Sequence, residues 1–291
     1  MSQGPLLSSL ISRLPLKALY HFEPILAFLL SRVIHYRKKV IVTNLQNAFP
    51  QACDHEITTI TKAYYKHLAR IILEALSSKS MPIHEMCERF HLTNPNLIEA
   101  LCEKYGGALL LTPHFGNWEW GVSLGNQLKT PCTSFYKKLH DPKANAALLA
   151  DRNRFHMTLE PVNLAARVLL KHKNTKTSYV LLFDQQPSGT KQTAWMNFLN
   201  QATEINTAPA KMAAQFGYPL IYLKETSVKK GYYQITALLI EESPKKEDAL
   251  RITKKYMHIL EKQIIDNPSQ WLWSHRRWKS KKPDHLDISD D

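Results

Sequence analysis

From residue 108 onward, short apolar runs alternate with stretches of helical periodicity, and this alternation limits the possible folds more than any other feature of the chain. Residues 108–112, 133–136, 178–183, 219–224 and 232–240 read as strands. Residues 118–127, 142–155, 164–172, 208–216 and 246–266 read as the helices between them. Runs of four to eight apolar residues bounded by turn formers suit buried strands, and intervening helices suit a sheet covered on its faces. The expected class is therefore α/β, a mixed sheet flanked by helices. Residues 1–104 read as helical instead. In the longest helix, residues 56–77, Ile57, Ile60, Tyr64, Leu68, Ile71 and Ile72 recur three or four apart, with Asp54 as the expected N-cap. Residues 94–105 form another, closed by Gly106-Gly107. The expected organisation is a helical, membrane-associating region over 1–104, an α/β core over 105–283 and an acidic tail over 284–291.

The 291 residues carry a formal net charge of +13, which selects polyanionic partners. Nucleic acid, phospholipid headgroups and acidic carrier proteins all fit. With nine glycines the chain is poorly supplied for a Gly-rich nucleotide cradle. Cys53, Cys87, Cys102 and Cys132 are too far apart for a CxxC metal or redox motif and read as reduced thiols. The start of the chain is not a clean signal peptide, and no stretch reaches the roughly 20 apolar residues of a membrane span. Residues 5–35 read as helices that lie on or dip into a membrane surface, with Lys17, Arg32, Arg37, Lys38 and Lys39 towards anionic headgroups. A pair of ordinary core helices is the alternative.

The most chemically informative segment is His114-Phe115-Gly116-Asn117-Trp118-Glu119-Trp120. It follows the apolar run 108–111, which puts His114 at the carboxyl end of a strand, where open α/β sheets place their chemistry. Asn117 reads as the N-cap of the next helix and Glu119 as part of its first turn. Residues five apart on one helix point about 140° away from each other. The pair therefore cooperates only if His114 lies in the loop before the helix. Placed so, His114 and Glu119 are a general base and its orienting partner, suited to activating a hydroxyl. Gly116 permits a close approach, and free N–H groups at the helix start are available to an anion or oxyanion. A buried histidine satisfied by a nearby acid is the plain alternative. The segment is not a zinc motif, since HExxH needs histidines at i and i+4.

Three further groups carry chemistry. Arg152 and Arg154, with Lys137 and Lys138 on the preceding strand, form a basic cluster able to grip a phosphate, or else a solvated face. Asp184-Gln185 follows the run 180–183, so it also emerges at a strand end. If that strand neighbours the His114 strand, Asp184 faces the same crevice and positions catalytic or substrate groups. Trp271, Trp273 and Trp278 interleave with His275, Arg276, Arg277 and Lys279. Such a mixture suits stacking on single-stranded nucleic acid, a membrane interface or simple packing. Packing is the reading for Trp271 and Trp273, and a phosphate or headgroup role for Arg276 and Arg277.

The His114-to-Glu119 stretch resembles the His-x4-Asp/Glu signature of glycerolipid-type acyltransferases, and its HFGNWE wording resembles the lipid A biosynthesis (lauroyl/myristoyl) acyltransferases. The likeness continues through Tyr36-Arg37-Lys38-Lys39-Val40 with Asn44 to Pro50, Tyr136-Lys137-Lys138-Leu139, Arg152-Asn153-Arg154-Phe155, Asp184-Gln185, the aromatic-rich stretch 195–203 and the block 268–279. His156 and Ala208 stand where that family usually has glycine. The Phe-Pro-Glu-Gly-Thr block of the lysophosphatidate acyltransferases is absent.

The resemblance implies a glycerolipid-acyltransferase-like sheet and transfer of an acyl chain from acyl carrier protein to a hydroxyl of a lipid A precursor, a phosphorylated glycolipid, without metal or other cofactor and without nucleic acid. It implies His114 and Glu119 as catalytic residues. Asn117, Lys137, Arg152, Arg154, Asp184, Gln185, Arg276 and Arg277 would contact substrate, with Arg154 the foremost arginine. It places the protein at the cytoplasmic face of a bacterial inner membrane. The alternatives are acylation of another lyso-lipid or aminolipid, and a non-enzymatic basic protein that binds membrane or nucleic acid.

Overall fold

A computed structural model describes residues 14–138, 141, 146, 149–150, 152, 154–187, 192–284 and 288. Its centre is a seven-stranded sheet in the order β1-β9-β8-β2-β5-β3-β4. The strands are β1 (Phe90–Leu92), β2 (Gly107–Thr112), β3 (Cys132–Tyr136), β4 (Met157–Pro161), β5 (Thr177–Leu182), β8 (Leu220–Lys229) and β9 (Tyr232–Glu241). Every neighbouring pair is parallel except β8–β9, which is antiparallel. Strands β6 (Thr193–Phe198) and β7 (Gln201–Asn206) form a separate antiparallel hairpin. The helices that pack around these sheets are α1 (Glu23–Phe28), α2 (Lys38–Ala48), α3 (Asp54–Ser77), α4 (Ile83–Arg89), α5 (Pro95–Tyr105), α6 (Ala165–Lys171), α7 (Ala208–Phe216) and α8 (Ala249–Asp266).

The apolar run of β2 is continuous because the strand is buried on both faces, as parallel strands under helices are. Leu109 and Leu111 point into a cluster with Tyr179, Leu181 and Tyr222, closed by α2, α3, α7 and α8. Ala108 and Leu110 point the other way, towards Val180, Ile221, and Ile98 and Leu101 of α5. The helical N-terminal region is part of this packing. Ile41 and Leu45 of α2 and Tyr64 and Leu68 of α3 belong to the same cluster as Leu109.

Several elements differ from expectation for local reasons. Residues 90–92 are a strand inside the region expected to be wholly helical, and β4 adds a second edge strand. Both are too short for periodicity to reveal. The aromatic-rich stretch 195–203 is not a loop but most of the β6–β7 hairpin. Its turn residues Leu199 and Asn200 have φ values of 51° and 58°, the left-handed geometry that a two-residue hairpin needs. Asp54 is the first residue of α3 rather than its cap. Cys53 is the cap, and its N–H donates to Glu56 at 2.7 Å. The expected helix 142–155 and the acidic tail 284–291 lie largely outside the described residues, as do residues 5–13 of the membrane-facing stretch.

The described part of that stretch exposes a run of large apolar side chains. Phe22, Ile25, Phe28, Val33 and Ile34 are each 50–63% exposed. Among the described residues no helix is long and apolar enough to cross a membrane.

Candidate active site

Strand pairing brings together residues far apart in the chain. Strands β2 and β5 are parallel neighbours, with Thr112 opposite Leu182. His114 and Asp184 each stand two residues beyond those partners, so they leave the sheet side by side. On the other flank of β2, Leu111 pairs with Tyr222 of β8. The same register carries Glu225 to the level of His114. Three parallel strands thus deliver an imidazole and two carboxyls to one carboxyl-terminal edge, where such sheets bind ligands.

Asp184 is the partner of His114. Its Oδ1 accepts from His114 Nδ1 at 2.7 Å and from the His114 backbone N–H at 3.1 Å. Its Oδ2 accepts the indole N–H of Trp271 at 2.8 Å. Burial alone would raise the Asp184 carboxyl, but the electrostatic pull of the adjacent imidazole and these three hydrogen bonds outweigh it and hold the group below its ordinary value. An ionised carboxylate only accepts, so Nδ1 carries the imidazole proton and Nε2 presents a lone pair. The side-chain amide of Gln185 lies 3.0 Å from that Nε2 and donates to it. A hydroxyl that replaced the amide would meet a base already oriented.

The loop between His114 and the following helix is fixed from beneath. Gly116 has φ of +60°, and a Cβ there would lie 1.8 Å from Glu225 Oε1. Both conformation and space demand glycine. Glu225 Oε1 accepts the Asn117 N–H at 2.5 Å. Asn117 does not cap the next helix with its side chain and does not face solvent. Its Nδ2 donates to the buried Glu74 at 2.7 Å, beside the hydroxyls of Tyr20 and Tyr233 at 2.6 and 2.7 Å. Trp120 donates its indole N–H to the Glu74 backbone carbonyl at 3.1 Å. Burial raises the Glu74 carboxyl, with these hydrogen bonds opposing, and raises Glu225 well above the usual range. The C-terminal block closes the loop from the side: Gly116 N–H donates to Gln270 O at 3.0 Å and Leu272 N–H to His114 O at 3.1 Å.

A cavity of about 150 Å³ opens in front of this edge, lined by His114, Glu119, Arg152, Glu225 and apolar residues including Leu182 and Leu223. Glu119 thus shares the cavity with His114 without holding it. Its carboxylate pairs with Arg152 at 2.9 Å, and the orienting place expected for it is taken by Asp184. The local geometry is the reason: Glu119 is the second residue of a 3₁₀ segment, Trp118–Ser123, whose first ring meets His114, whereas β5 runs alongside β2 and delivers Asp184 to the imidazole.

The other expected ligands divide. Arg152 lines the cavity, and Gln185 touches His114 without lining it. Arg154 is not among its lining residues: its guanidinium donates to the carbonyls of Lys79 (2.8 Å) and Met81, anchoring the chain after α3. Lys137 and Arg276 are exposed side chains outside the cavity lining. Arg277 is 1% exposed, donates to the Glu204 carbonyl at 2.7 Å, and is lowered to about 10 by burial. Trp271 and Trp273 are packed as expected, their rings edge-to-face at 4.8 Å. Trp271 also positions Asp184, a role its apolar surroundings in the sequence concealed. Next to it His275, lowered to about 4 chiefly by burial, accepts the Gln186 N–H at 3.1 Å. Arg37 and Asn44 of the N-terminal block bind backbone carbonyls of Trp273, Ser274 and His275 at 2.9–3.0 Å. Two stretches of the family resemblance therefore support one another.

The profile of the bacterial lipid A biosynthesis acyltransferases matches residues 4–280. The chain is also similar to the lipid A biosynthesis lauroyltransferase of Escherichia coli (strain K12), with 22% identity over 274 residues, 94% of this chain and 89% of that protein.

Proposed function

The chain belongs to the bacterial lipid A biosynthesis acyltransferases, and we propose that within this family it carries a fatty acyl group from acyl carrier protein to a hydroxyl of a lipid A precursor, with His114 as general base. The observation that carries the mechanism is the His114–Asp184 pair at adjacent strand ends, with His114 lining an open cavity. The acceptor hydroxyl displaces Gln185 from Nε2 and gives its proton to that nitrogen as its oxygen attacks the thioester carbonyl. Asp184 stabilises the imidazolium that results. The carbon–sulfur bond then breaks, and the leaving thiolate takes the proton back. Neither step requires an acyl-enzyme. Glu119 fixes Arg152 in the cavity, where the guanidinium offers charge to an acceptor phosphate or to the developing oxyanion.

A net charge of +13 favours an acidic donor protein. The exposed apolar side chains of residues 22–34, next to Arg32, Arg37, Lys38 and Lys39, support a seat on the cytoplasmic face of the inner membrane. The test is thiol release from acyl carrier protein substrate with purified protein and lipid A precursor. His114→Ala should abolish release while leaving the circular dichroism spectrum intact. Turnover of that variant at the wild-type rate refutes the mechanism. Unchanged lipid A in the mass spectrum of a deletion strain reassigns the acceptor to another lyso-lipid or aminolipid.

A further inference from the structure

A second cavity, of about 310 Å³, lies between the π-helical turn Leu29–Val33 and helices α2 and α3, and shares no lining residue with the active site. Arg32, Lys38 and Lys62 line it against one carboxylate, Asp54. Among the described residues none of the three cations has an ion-pair partner. Lys38 and Lys39 open α2, an 11-residue helix with no acidic residue in its first turn. A helix start already carries partial positive charge, so cations there repel it unless an anion intervenes.

An independent observation points into the same space. Thr61 lines the cavity, is 8% exposed, and among the described residues its hydroxyl oxygen has no partner. A threonine within a helix ordinarily satisfies its hydroxyl on the carbonyl four residues back. Thr59, one residue before Ile60 on the same helix, does so at 2.9 Å to His55 O. Thr61 does not, and a buried hydroxyl left unpaired is costly unless a ligand completes it. In the same turn as the lining residues Ser31 and Arg32, or just after it, Leu29, Val33 and Ile34 are 39%, 58% and 63% exposed.

We propose that this cavity is a headgroup site for the phosphate of an anionic phospholipid. Arg32, Lys38 and Lys62 neutralise the phosphate, the Thr61 hydroxyl donates to one of its oxygens, and the exposed apolar side chains meet the acyl region. The site seats the enzyme on an anionic bilayer. It deepens the membrane part of the proposed function and is independent of its chemistry.

The test uses the full-length protein and calorimetric titration with a short-chain, water-soluble phosphatidylglycerol below its micellar concentration, so that no bilayer field contributes. Wild type should bind one equivalent. Lys38→Ala/Lys62→Ala should weaken binding on the order of tenfold or more, near the effect of two cations close to phosphate. Thr61→Val, which trades the hydroxyl for a methyl of like shape, should weaken it several-fold. Lys171→Ala/Lys173→Ala removes the same charge from exposed positions outside the cavity and should leave binding unchanged, as should His114→Ala. Thiol release in detergent with saturating substrates should be unaltered in all the cavity variants. Absence of binding by wild type, equal losses in the two lysine pairs, or inorganic phosphate binding as tightly as the lipid would each overturn the proposal.

Discussion

Two ion pairs meet the candidate active-site cavity through His114, Arg152 and Glu119, and they are built in opposite ways. His114–Asp184 is an interior pair: Asp184 is 1% exposed and its oxygens take hydrogen bonds from imidazole, backbone and indole. Arg152–Glu119 is a rim pair, with side chains 24% and 35% exposed and one direct hydrogen bond. The first is overdetermined by strand register, so its geometry is set before substrate arrives. The second joins flexible side chains in a polar setting, where an ion pair is worth about 0–1 kcal/mol and an incoming anion can compete. Under the proposed function, a fixed base beside an exchangeable cation is what activating a hydroxyl on a phosphorylated acceptor requires.

The largest expected effect comes from breaking the interior pair without removing its shape. Asp184→Asn keeps two polar atoms in place but loses the acceptor that holds the proton on Nδ1. The imidazole is then free to take the other tautomer, with Nε2 protonated and useless as a base. Steady-state kinetics should show kcat lowered by about 10³–10⁴, the scale seen when an orienting carboxylate is neutralised elsewhere, with KM little changed. A loss below tenfold would return the orienting role to Glu119.

At the rim pair a smaller effect should appear in a different parameter. Arg152→Ala removes a charge-assisted contact worth about 1.5–3 kcal/mol, a factor on the order of 10–100. The cost should fall on KM for a phosphorylated acceptor, grow weaker at high salt and shrink further with a dephosphorylated acceptor. Thermal stability should hardly move, since the pair is exposed. An unchanged KM with reduced kcat would place Arg152 on the oxyanion instead.

How much of this was legible without coordinates depends on whether the signal was local. The strand at 108–112 and the one at 178–183 announced themselves as apolar runs, and His114 and Asp184 stood at their ends. Only their adjacency was missing, because pairing across 70 residues leaves no mark in either segment. Glu119 drew the orienting role because it is near in sequence, although the intervening turn sends it elsewhere. Asn117, Arg154 and Arg277 looked like ligands because polarity is visible in a sequence and burial is not. Each satisfies the protein's own backbone or buried acids. His156 is a subtler case. It stands where the family usually has glycine, and its φ of +51° shows why glycine suits that position. Glu225 carried one faint sign, an acid one residue beyond the apolar stretch 220–223.

Glu225 sharpens the comparison most, because it sits at the same level of the sheet as Asp184 yet has no ion-pair partner among the described residues. Asp184 is held ionised by its imidazole, so its stabilising share is present at neutral pH and lost as pH falls through a depressed pKa, below about 3.9. For Glu225 burial dominates and the pKa rises well above its ordinary value. The sign reverses: the folded state keeps a proton that the unfolded chain releases above about pH 4.3, so stability declines as pH rises from there towards the folded pKa. Glu225→Gln copies the neutral acid, since its carbonyl oxygen can still accept the Asn117 N–H. It should therefore leave kcat near wild type at neutral pH. It should also raise the melting temperature at pH 7 by on the order of 2–4 °C for each kcal/mol relieved, with the gain vanishing near pH 4. A gain equal at both pH values would mean that packing, not a retained proton, distinguishes the variant. A loss at pH 7 would mean that Glu225 is ionised, and that the acid under the catalytic loop has a counter-charge like that of Asp184.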